Sequence, residues 1–313
     1  MTTRVVLASP RGFCAGVVRA VDTVTCALER FRPPVYVRRA IVHNARVVER
    51  LAAAGAVFVD ELCEVPVGGV VILGAHGVAR SVRDEARARG LRVIDATCPL
   101  VAKVHREVRR YRAFGYDVVL IGRAGHDEVV GTLGQAPGVQ LVETIDEVPL
   151  VRVVRRDRVA CVTQTTLRPE EVAPIVEALR RRFPALVQPA CADICYATRN
   201  RQLAVDRLTT AVDAVVVVGD RHSSNTQRLR EAAEAGGTPA YLVGSAAEVD
   251  DTLLASHAAV GLTAGASTPK DVVAEVVERF ISRGADVTEI VVAHEELAFA
   301  LPPELGVLPA GGA

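Results

Sequence analysis

Short runs rich in valine and isoleucine recur along the chain, and most are followed by a segment whose apolar residues have helical spacing. Such runs, without polar alternation, are typical of strands that are buried on both faces of a parallel sheet. Parallel strands need crossover connections, which helices usually provide. The sequence therefore predicts an α/β fold with mainly parallel sheets.

The clearest example of this pattern surrounds Cys98. An apolar strand at 92–95 leads to the cysteine, and Pro99 opens a predicted helix that extends to about Phe114. Proline is favoured at the first helical position, which places Cys98 at or beside a helix N-terminus. The helix dipole there favours a thiolate, the form in which cysteine ligates metals or acts as a nucleophile. A small buried residue at a strand end explains Cys98 equally well.

The same arrangement occurs three times. Cys14, Cys98 and Cys195 each precede a predicted helix, and roughly 90 residues, the size of a small α/β domain, separate neighbouring cysteines. Strands in each third end in small polar or histidine-bearing loops, at 41–44, 74–77, 125–128, 163–166, 222–225 and 263–267. Because ligands of open parallel sheets bind beyond the carboxyl ends of the strands, three facing domains would bring these groups to one cavity. Three ordinary domains with polar strand ends are the alternative.

The predicted domain boundaries follow the cysteines. The domains are 1–97, 98–193 and 194–313, and the third includes a loose C-terminal tail rich in proline and glycine. The N-terminal strand is a candidate for sharing with the third domain. A chain of 313 residues, half of them hydrophobic, is long enough for several cores.

Composition excludes several classes of protein. Lys+Arg and Asp+Glu both number 37, so the chain lacks the basic surface of a nucleic-acid binder. No apolar run approaches the roughly 20 residues of a membrane span. The chain has seven cysteines, an odd number, and is long enough to fold without disulfide bonds. This cysteine usage indicates a reducing compartment, and we expect a cytoplasmic protein.

The three repeated cysteines are the candidate metal ligands. None has the close spacing of a zinc ribbon or a bacterial ferredoxin, so the fold would have to assemble the site. Three thiolates leave one metal position open, and an iron–sulfur cluster with such an iron is a Lewis acid as well as an electron carrier. Cys191, in a C-x-x-x-C pair with Cys195, is the one competitor. The others are interpreted as structural: Cys26, Cys63 and Cys161.

Nine motifs, in order over nearly the whole chain, resemble the IspH/LytB family of reductases of isoprenoid synthesis. They are GFCAGV at 12–17, IVHN at 41–44, AHGV at 75–78, DATCP at 95–99, GHDEVVGT at 125–132, TQTTL at 163–167, DICYAT at 193–198, SSN at 223–225 and TAGAS at 263–267. Each motif is weak alone, but nine in order are specific. The resemblance implies three similar small α/β domains, arranged pseudo-threefold around a central iron–sulfur cluster.

The resemblance also implies an activity. The enzyme would reductively remove the 4-hydroxyl of 4-hydroxy-3-methylbut-2-enyl diphosphate, which yields isopentenyl and dimethylallyl diphosphate. Cys14, Cys98 and Cys195 would hold one 4Fe–4S cluster per chain, whose open iron would bind the hydroxyl. Glu128 would deliver the proton with which the hydroxyl departs as water, and Thr165 would orient that hydroxyl.

The substrate's diphosphate would be bound without a Walker loop. Imidazolium, hydroxyl and amide groups donate to phosphate oxygens. The residues that the resemblance assigns to substrate binding are His43, His76, His126, Thr165, Ser223, Ser224, Asn225 and Ser267. The remaining histidines are interpreted as satisfied polar residues of strand ends: His105, His222, His257 and His294.

The chain has no G-x-G-x-x-G fingerprint of a flavin or nicotinamide site, so we expect electrons from a separate carrier of the ferredoxin or flavodoxin type. The chain departs from residues that are common in the family at Gly74, Asp127, Val130 and Ala192. Asp127 is expected to shift the pKa of its neighbours His126 and Glu128. Two other functions fit the cysteines: a related iron–sulfur dehydratase or reductase with another substrate, and a non-catalytic iron–sulfur or zinc sensor.

Overall fold

The computed structural model describes residues 4–250 and 252–306. Its strands form three sheets, and every pairing between these strands is parallel. The predicted fold class, α/β with mainly parallel sheets, is confirmed, and the three small sheets are consistent with the predicted three similar domains. The predicted loose end of the tail, at 309–313, lies outside the described residues.

The described elements have the following bounds. The strands are β1 (Arg4–Ser9), β2 (Val35–Arg38), β3 (Ala56–Val59), β4 (Val70–Leu73), β5 (Arg92–Asp95), β6 (Asp117–Ile121), β7 (Gln140–Val142), β8 (Val159–Thr163), β9 (Ala214–Val218), β10 (Ala240–Val243), β11 (Ala259–Ala264) and β12 (Asp286–Val291). The α-helices are α1 (Ala15–Phe31), α2 (Ala45–Ala53), α3 (Arg80–Ala88), α4 (Pro99–Ala113), α5 (Asp127–Leu133), α6 (Pro169–Arg182), α7 (Tyr196–Thr209), α8 (Ser224–Ala235), α9 (Thr252–Ser256), α10 (Lys270–Ser282) and α11 (Pro303–Gly306).

The chain forms two compact units. Within the described residues, the first unit contains 4–17, 43–47 and 196–297, and the second contains 18–42, 48–195 and 298–306. The first unit holds one five-stranded sheet. The second holds a four-stranded and a three-stranded sheet. The domain boundaries predicted from the cysteines stay a prediction.

The sheet of the first unit has the strand order β10-β9-β11-β1-β12, so the first strand of the chain pairs with two of the last. Alternate residues of its strands enter two cores. Val216 and Leu262 pack with Phe280 of α10, whereas Val215 and Val217 pack with residues of α7 and α8. Both faces are therefore covered, which explains why the central strands consist of uninterrupted apolar runs.

The second unit is built in the same way. Its sheets have the orders β3-β2-β4-β5 and β7-β6-β8. Val119 and Cys161 pack with the apolar face of α6, while Leu120 and Val162 pack against α4 on the other side of the three-stranded sheet. The predicted helix after Cys98 is confirmed as α4, and Cys98 is its N-cap residue.

A buried ion pair stabilises the first unit. The guanidinium of Arg201 is fully buried on α7 and pairs with the carboxylate of Glu295 (3.0 Å), which is 12% exposed. Arg201 also donates to the carbonyls of Gly12 and Phe13, ahead of α1. This one side chain therefore connects α7 to the loop that carries Cys14.

Glu295→Ala should lower the free energy of unfolding of the first unit by about 3 kcal/mol, because it leaves the charge of Arg201 buried without its counterion. The matched control is Glu289→Ala, which removes the partner of Arg11 from a pair that is 24% and 45% exposed. We expect that change to cost less than about 1 kcal/mol. Denaturant midpoints measure both, and equal losses would contradict the role of the buried pair.

Candidate active site

The three candidate cysteine ligands share one backbone interaction. Each stands directly before a helix, and its N–H donates to a carbonyl in the polar loop that follows a strand of its own unit. The pairs are Cys14 with Ala266 (3.2 Å), Cys98 with Ala75 (2.9 Å) and Cys195 with Thr165 (3.0 Å). Each thiol is therefore held at the carboxyl edge of a sheet and at a helix start, where the dipole favours the thiolate.

The turn that carries Cys98 has a further anchor at each end. The carboxylate of Asp95 accepts from the backbone N–H (3.0 Å) and the hydroxyl (2.5 Å) of Thr97. Arg83 forms an ion pair with Asp95 (2.6 Å), and Arg19 donates to the carbonyl of Thr97 (3.1 Å). These contacts fix the backbone immediately before the thiol.

The segment before Cys195 is held by a lysine. Lys103 of α4 forms an ion pair with Asp193 (2.9 Å) and donates to the carbonyls of Cys191 (2.6 Å) and Ala192 (3.1 Å). Asp193 also accepts from the backbone N–H of Thr163 (2.9 Å). Sequence analysis missed Lys103, although lysine occurs only at 103 and 270 and its rarity was a usable signal.

Glu128 carries a carboxyl group that lies in a dry environment. It belongs to the first turn of α5 and is 2% exposed. The backbone N–H of Thr165 donates to one carboxylate oxygen (2.6 Å) and the hydroxyl of Thr165 donates to the other (2.8 Å). The structure thus brings Glu128, Thr165 and the Cys195 turn together within the second unit.

Burial raises the pKa of Glu128 to about 7. The two hydrogen bonds from Thr165 oppose this shift, and the negative charge of Asp193 adds to it. The expectation that Asp127 shifts the pKa of Glu128 is wrong, because the carboxylate of Asp127 pairs with Arg39 instead. Below about pH 7 Glu128 is protonated and can give a proton, and this capacity is lost as the pH rises through that value.

Two of the predicted histidines lie next to each other in the second unit. The rings of His76 and His126 meet edge to face, with centroids 5.5 Å apart. Nδ1 of His126, the N-cap of α5, accepts from the backbone N–H of Glu128 (3.1 Å). The proton of the neutral His126 ring therefore lies on Nε2, which makes Nε2 a donor.

The remaining predicted polar residues lie in the first unit, around Ser267. Its hydroxyl donates to the carbonyl of His43 (2.9 Å) and lies 3.3 Å from the hydroxyl of Ser223. Ser223 is the N-cap of α8, and Ser224 is the first residue of that helix. Backbone N–H groups at a helix start and neighbouring hydroxyls form an arrangement that suits a phosphate oxygen.

Asn225 connects this group to Cys14. Its side-chain oxygen accepts from the backbone N–H of Ala266 (2.8 Å), the residue whose carbonyl accepts from Cys14. Its amide nitrogen is buried and has no hydrogen-bond partner among the described residues. Buried polar groups are nearly always paired, so this nitrogen has donors left for a ligand.

The cysteines and histidines that were not assigned to the site have different surroundings from the site residues. Cys161 is fully buried in β8, where burial raises the pKa of its thiol, and Cys191 is exposed. The interpretation of His105 as a satisfied residue at a strand end is wrong. His105 lies inside α4, is 3% exposed, and has a buried Nε2 without a hydrogen-bond partner among the described residues. None of the described helices is long and apolar enough to span a membrane.

The family model described as "LytB protein" matches residues 5–281. The chain belongs to the LytB family. Two relatives named 4-hydroxy-3-methylbut-2-enyl diphosphate reductase are each 54% identical to it. The one from Acidothermus cellulolyticus aligns over 305 residues, 96% of this chain and 90% of the relative. The one from Azoarcus sp. aligns over 303 residues, 96% of this chain and 97% of the relative. The predicted family is confirmed.

Two solved structures of LytB-type reductases have this fold. The E-1-hydroxy-2-methyl-but-2-enyl-4-diphosphate reductase from Plasmodium falciparum gives a TM-score of 0.93 at 36% identity, and 98% of each chain is covered. A structure of (E)-4-hydroxy-3-methyl-but-2-enyl diphosphate reductase, described as the terminal enzyme of the non-mevalonate pathway, gives 0.66 at 33% identity. This alignment covers 90% of this chain and 100% of the chain in the solved structure. LytB proteins are iron–sulfur enzymes.

Thr165→Val should raise the pKa of Glu128 above about 7, because it removes the hydroxyl donor that stabilises the carboxylate. Infrared titration of the carboxyl C=O stretch measures this pKa directly. The matched control is Thr163→Val, since the buried hydroxyl of Thr163 has no partner among the described residues. A control shift as large as that of Thr165→Val would contradict the role of the hydrogen bond.

Proposed function

We propose that the chain is a 4-hydroxy-3-methylbut-2-enyl diphosphate reductase of the non-mevalonate isoprenoid pathway. Its relatives carry that name at 54% identity over nearly the whole chain. The observation that carries the proposal is Glu128, a buried acid with a pKa near 7 beside the Cys195 turn. A dehydroxylating enzyme needs such a proton source, whereas a sensor does not.

The reaction breaks the allylic C–O bond of the substrate. Two electrons enter the allyl group, one proton leaves with the hydroxyl as water, and a second proton is added to carbon to give isopentenyl or dimethylallyl diphosphate. Glu128 holds the first of these protons at its carboxyl group. Thr165 donates to both oxygens of Glu128, which supports the role of its hydroxyl in orienting the substrate's hydroxyl.

The diphosphate is held by donors from the polar loops. The proposed donors are Ser223, Ser224, Asn225, Ser267, His43, His76 and His126. The amide nitrogen of Asn225, which has no partner among the described residues, and the helix start at Ser224 support this role. In the ring of His126, Nε2 is the donor. These groups bind the ligand's negative charge through charge-assisted hydrogen bonds.

One 4Fe–4S cluster per chain, ligated by Cys14, Cys98 and Cys195, completes the site. Thiolates are the ligands that iron–sulfur clusters prefer, and each of these cysteines is partly exposed at a helix start. Three ligands would leave one iron open, and the bound cluster would supply electrons and a Lewis-acidic position. Cys161, neutral and enclosed in β8, does not suit ligation.

Electrons come from a separate carrier of the ferredoxin or flavodoxin type, because the chain has no flavin or nicotinamide fingerprint. The cytoplasmic location remains a prediction from the cysteine usage. Turnover of the named substrate by anaerobically purified protein, with an artificial one-electron reductant, tests the proposal. Formation of both isoprenoid diphosphates is expected. Protein with a full cluster that binds but does not convert this substrate would favour a related enzyme, and zinc without iron would exclude both enzymes.

Glu128→Gln should lower kcat by about 10²–10⁴-fold, because the amide retains the shape of the side chain but cannot deliver a proton. Substrate affinity and iron content should stay close to those of the unchanged enzyme. Glu170→Gln, at an exposed carboxyl group on α6, is the control and should leave kcat unchanged. Near-normal turnover of Glu128→Gln would remove Glu128 from the proton path.

Cys14→Ser, Cys98→Ser and Cys195→Ser should each lose most of the bound iron, because a hydroxyl is a poor substitute for a thiolate ligand. Cys191→Ser is the matched control: it lies four residues from Cys195, is exposed, and should retain the iron content of the unchanged protein. Iron analysis and the visible absorption of the cluster measure the outcome. Iron loss in Cys191→Ser equal to that in Cys195→Ser would overturn the ligand assignment.

A further inference from the structure

A polar cavity lies in the second unit, between α3 and α4. Its volume is about 490 Å³, and four arginines line it: Arg80, Arg83, Arg106 and Arg109. We call it the arginine pocket. None of these arginines belongs to the residues assigned above to the cluster, the substrate or the proton path. The cavity has the size of a site for a small molecule.

The pocket carries an excess of positive charge. Among the described residues, Asp95 is the only carboxylate that lines it, and this carboxylate pairs with Arg83 (2.6 Å). Arg109 donates to the side-chain oxygen of the buried Gln135 (2.6 Å). Arg80 and Arg106 have no carboxylate partner within the described residues. Four guanidinium groups therefore share one carboxylate, and an anion in the cavity would relieve their mutual repulsion.

Burial and the crowding of the guanidinium groups lower the pKa of Arg109. Burial lowers the pKa of Arg109, and the charges of Arg80, Arg83 and Arg106 lower it further. Arg106 and Arg109 lie on one face of α4, where residues three or four positions apart are neighbours, and α3 contributes Arg80 and Arg83. Two helices thus turn planar donor groups toward one cavity, and such groups bind phosphate oxygens in pairs.

His105 adds a neutral polar group to the wall. It lines the cavity, is almost completely buried, and its Nε2 has no hydrogen-bond partner among the described residues. Burial lowers the pKa of His105 to about 4, with a contribution from the nearby arginines, so the ring is neutral at neutral pH. The positive charge of the pocket therefore comes from the arginines.

We propose that the arginine pocket binds a small oxyanion of the diphosphate class, at a site separate from the one that holds the substrate. Four guanidinium groups exceed what the two charges of a monophosphate can neutralise, which favours the diphosphate. Asp95, the partner of Arg83, also accepts from Thr97, so the pocket borders the turn that carries Cys98. The inference stands independently of the proposed activity, because it concerns binding alone.

Titration calorimetry of the anaerobically purified holoenzyme with inorganic diphosphate tests the proposal. We expect one binding event that the double variant Arg80→Gln/Arg106→Gln weakens by about ten- to a hundredfold for each guanidinium removed. Arg80 and Arg106 are exposed at the rim of the pocket and have no carboxylate partner among the described residues. Each single variant should lower the logarithm of the affinity by about half as much as the double variant. Arg110→Gln is the matched control, because Arg110 follows Arg109 on α4 but pairs with Glu107 outside the pocket.

Inorganic phosphate should bind the same site more weakly, and added salt should weaken both anions. The affinity of diphosphate for the substrate site should not change in the Arg80→Gln and Arg106→Gln variants. Binding at that site should remain as a second event in the titration. Unchanged affinity and stoichiometry in the double variant would overturn the proposal. It would also be overturned if the variant kept its diphosphate binding and lost turnover only with a protein electron donor, because the arginines would then form a docking surface for an acidic protein.

Discussion

The hydrogen bond between a cysteine N–H and the carbonyl of a strand-end loop is the contact on which the candidate site depends. It occurs at Cys14, Cys98 and Cys195, always within one unit and always at a helix start. A parallel sheet places the carboxyl ends of its strands at one edge, where the following helices begin. The first N–H groups of those helices have no partner in the helix, so each must find one in the neighbouring loop. The polar loops are thereby fixed next to the thiols.

Glu128 depends on the same constraint. The loop that accepts from Cys195 is the one whose residue Thr165 donates to both oxygens of Glu128. Burial raises the pKa of this carboxyl group, and the two donors limit the rise, so that the pKa lies at about 7. Burial and the hydrogen bonds from Thr165 therefore shift the pKa of Glu128 in opposite directions. Together they set this pKa within the pH range in which an enzyme works.

The sequence patterns predicted the buried central strands and missed three short strands at sheet edges. The central strands β9 and β11 are covered on both faces, and their continuous apolar runs were predicted. The strands that were missed, β3, β7 and β10, are short, partly exposed and at the edges of their sheets. Half-covered strands of three or four residues have too few apolar positions to form a pattern. The histidine inside α4 was misjudged because helical position alone does not reveal an unpaired ring nitrogen.

The sequence by itself determined the α/β class and the family, and it predicted which residues carry chemistry, because these depend on local spacing and on motifs in fixed order. Only the tertiary structure decided what surrounds each residue. It paired Asp127 with Arg39 and left Asp193 to act on Glu128, and it placed Lys103 against the Cys195 segment. It also gathered the arginines of two helices around one cavity. The charge, burial and hydrogen bonding of a group arise from residues that are distant in the chain, and only folding brings them within reach.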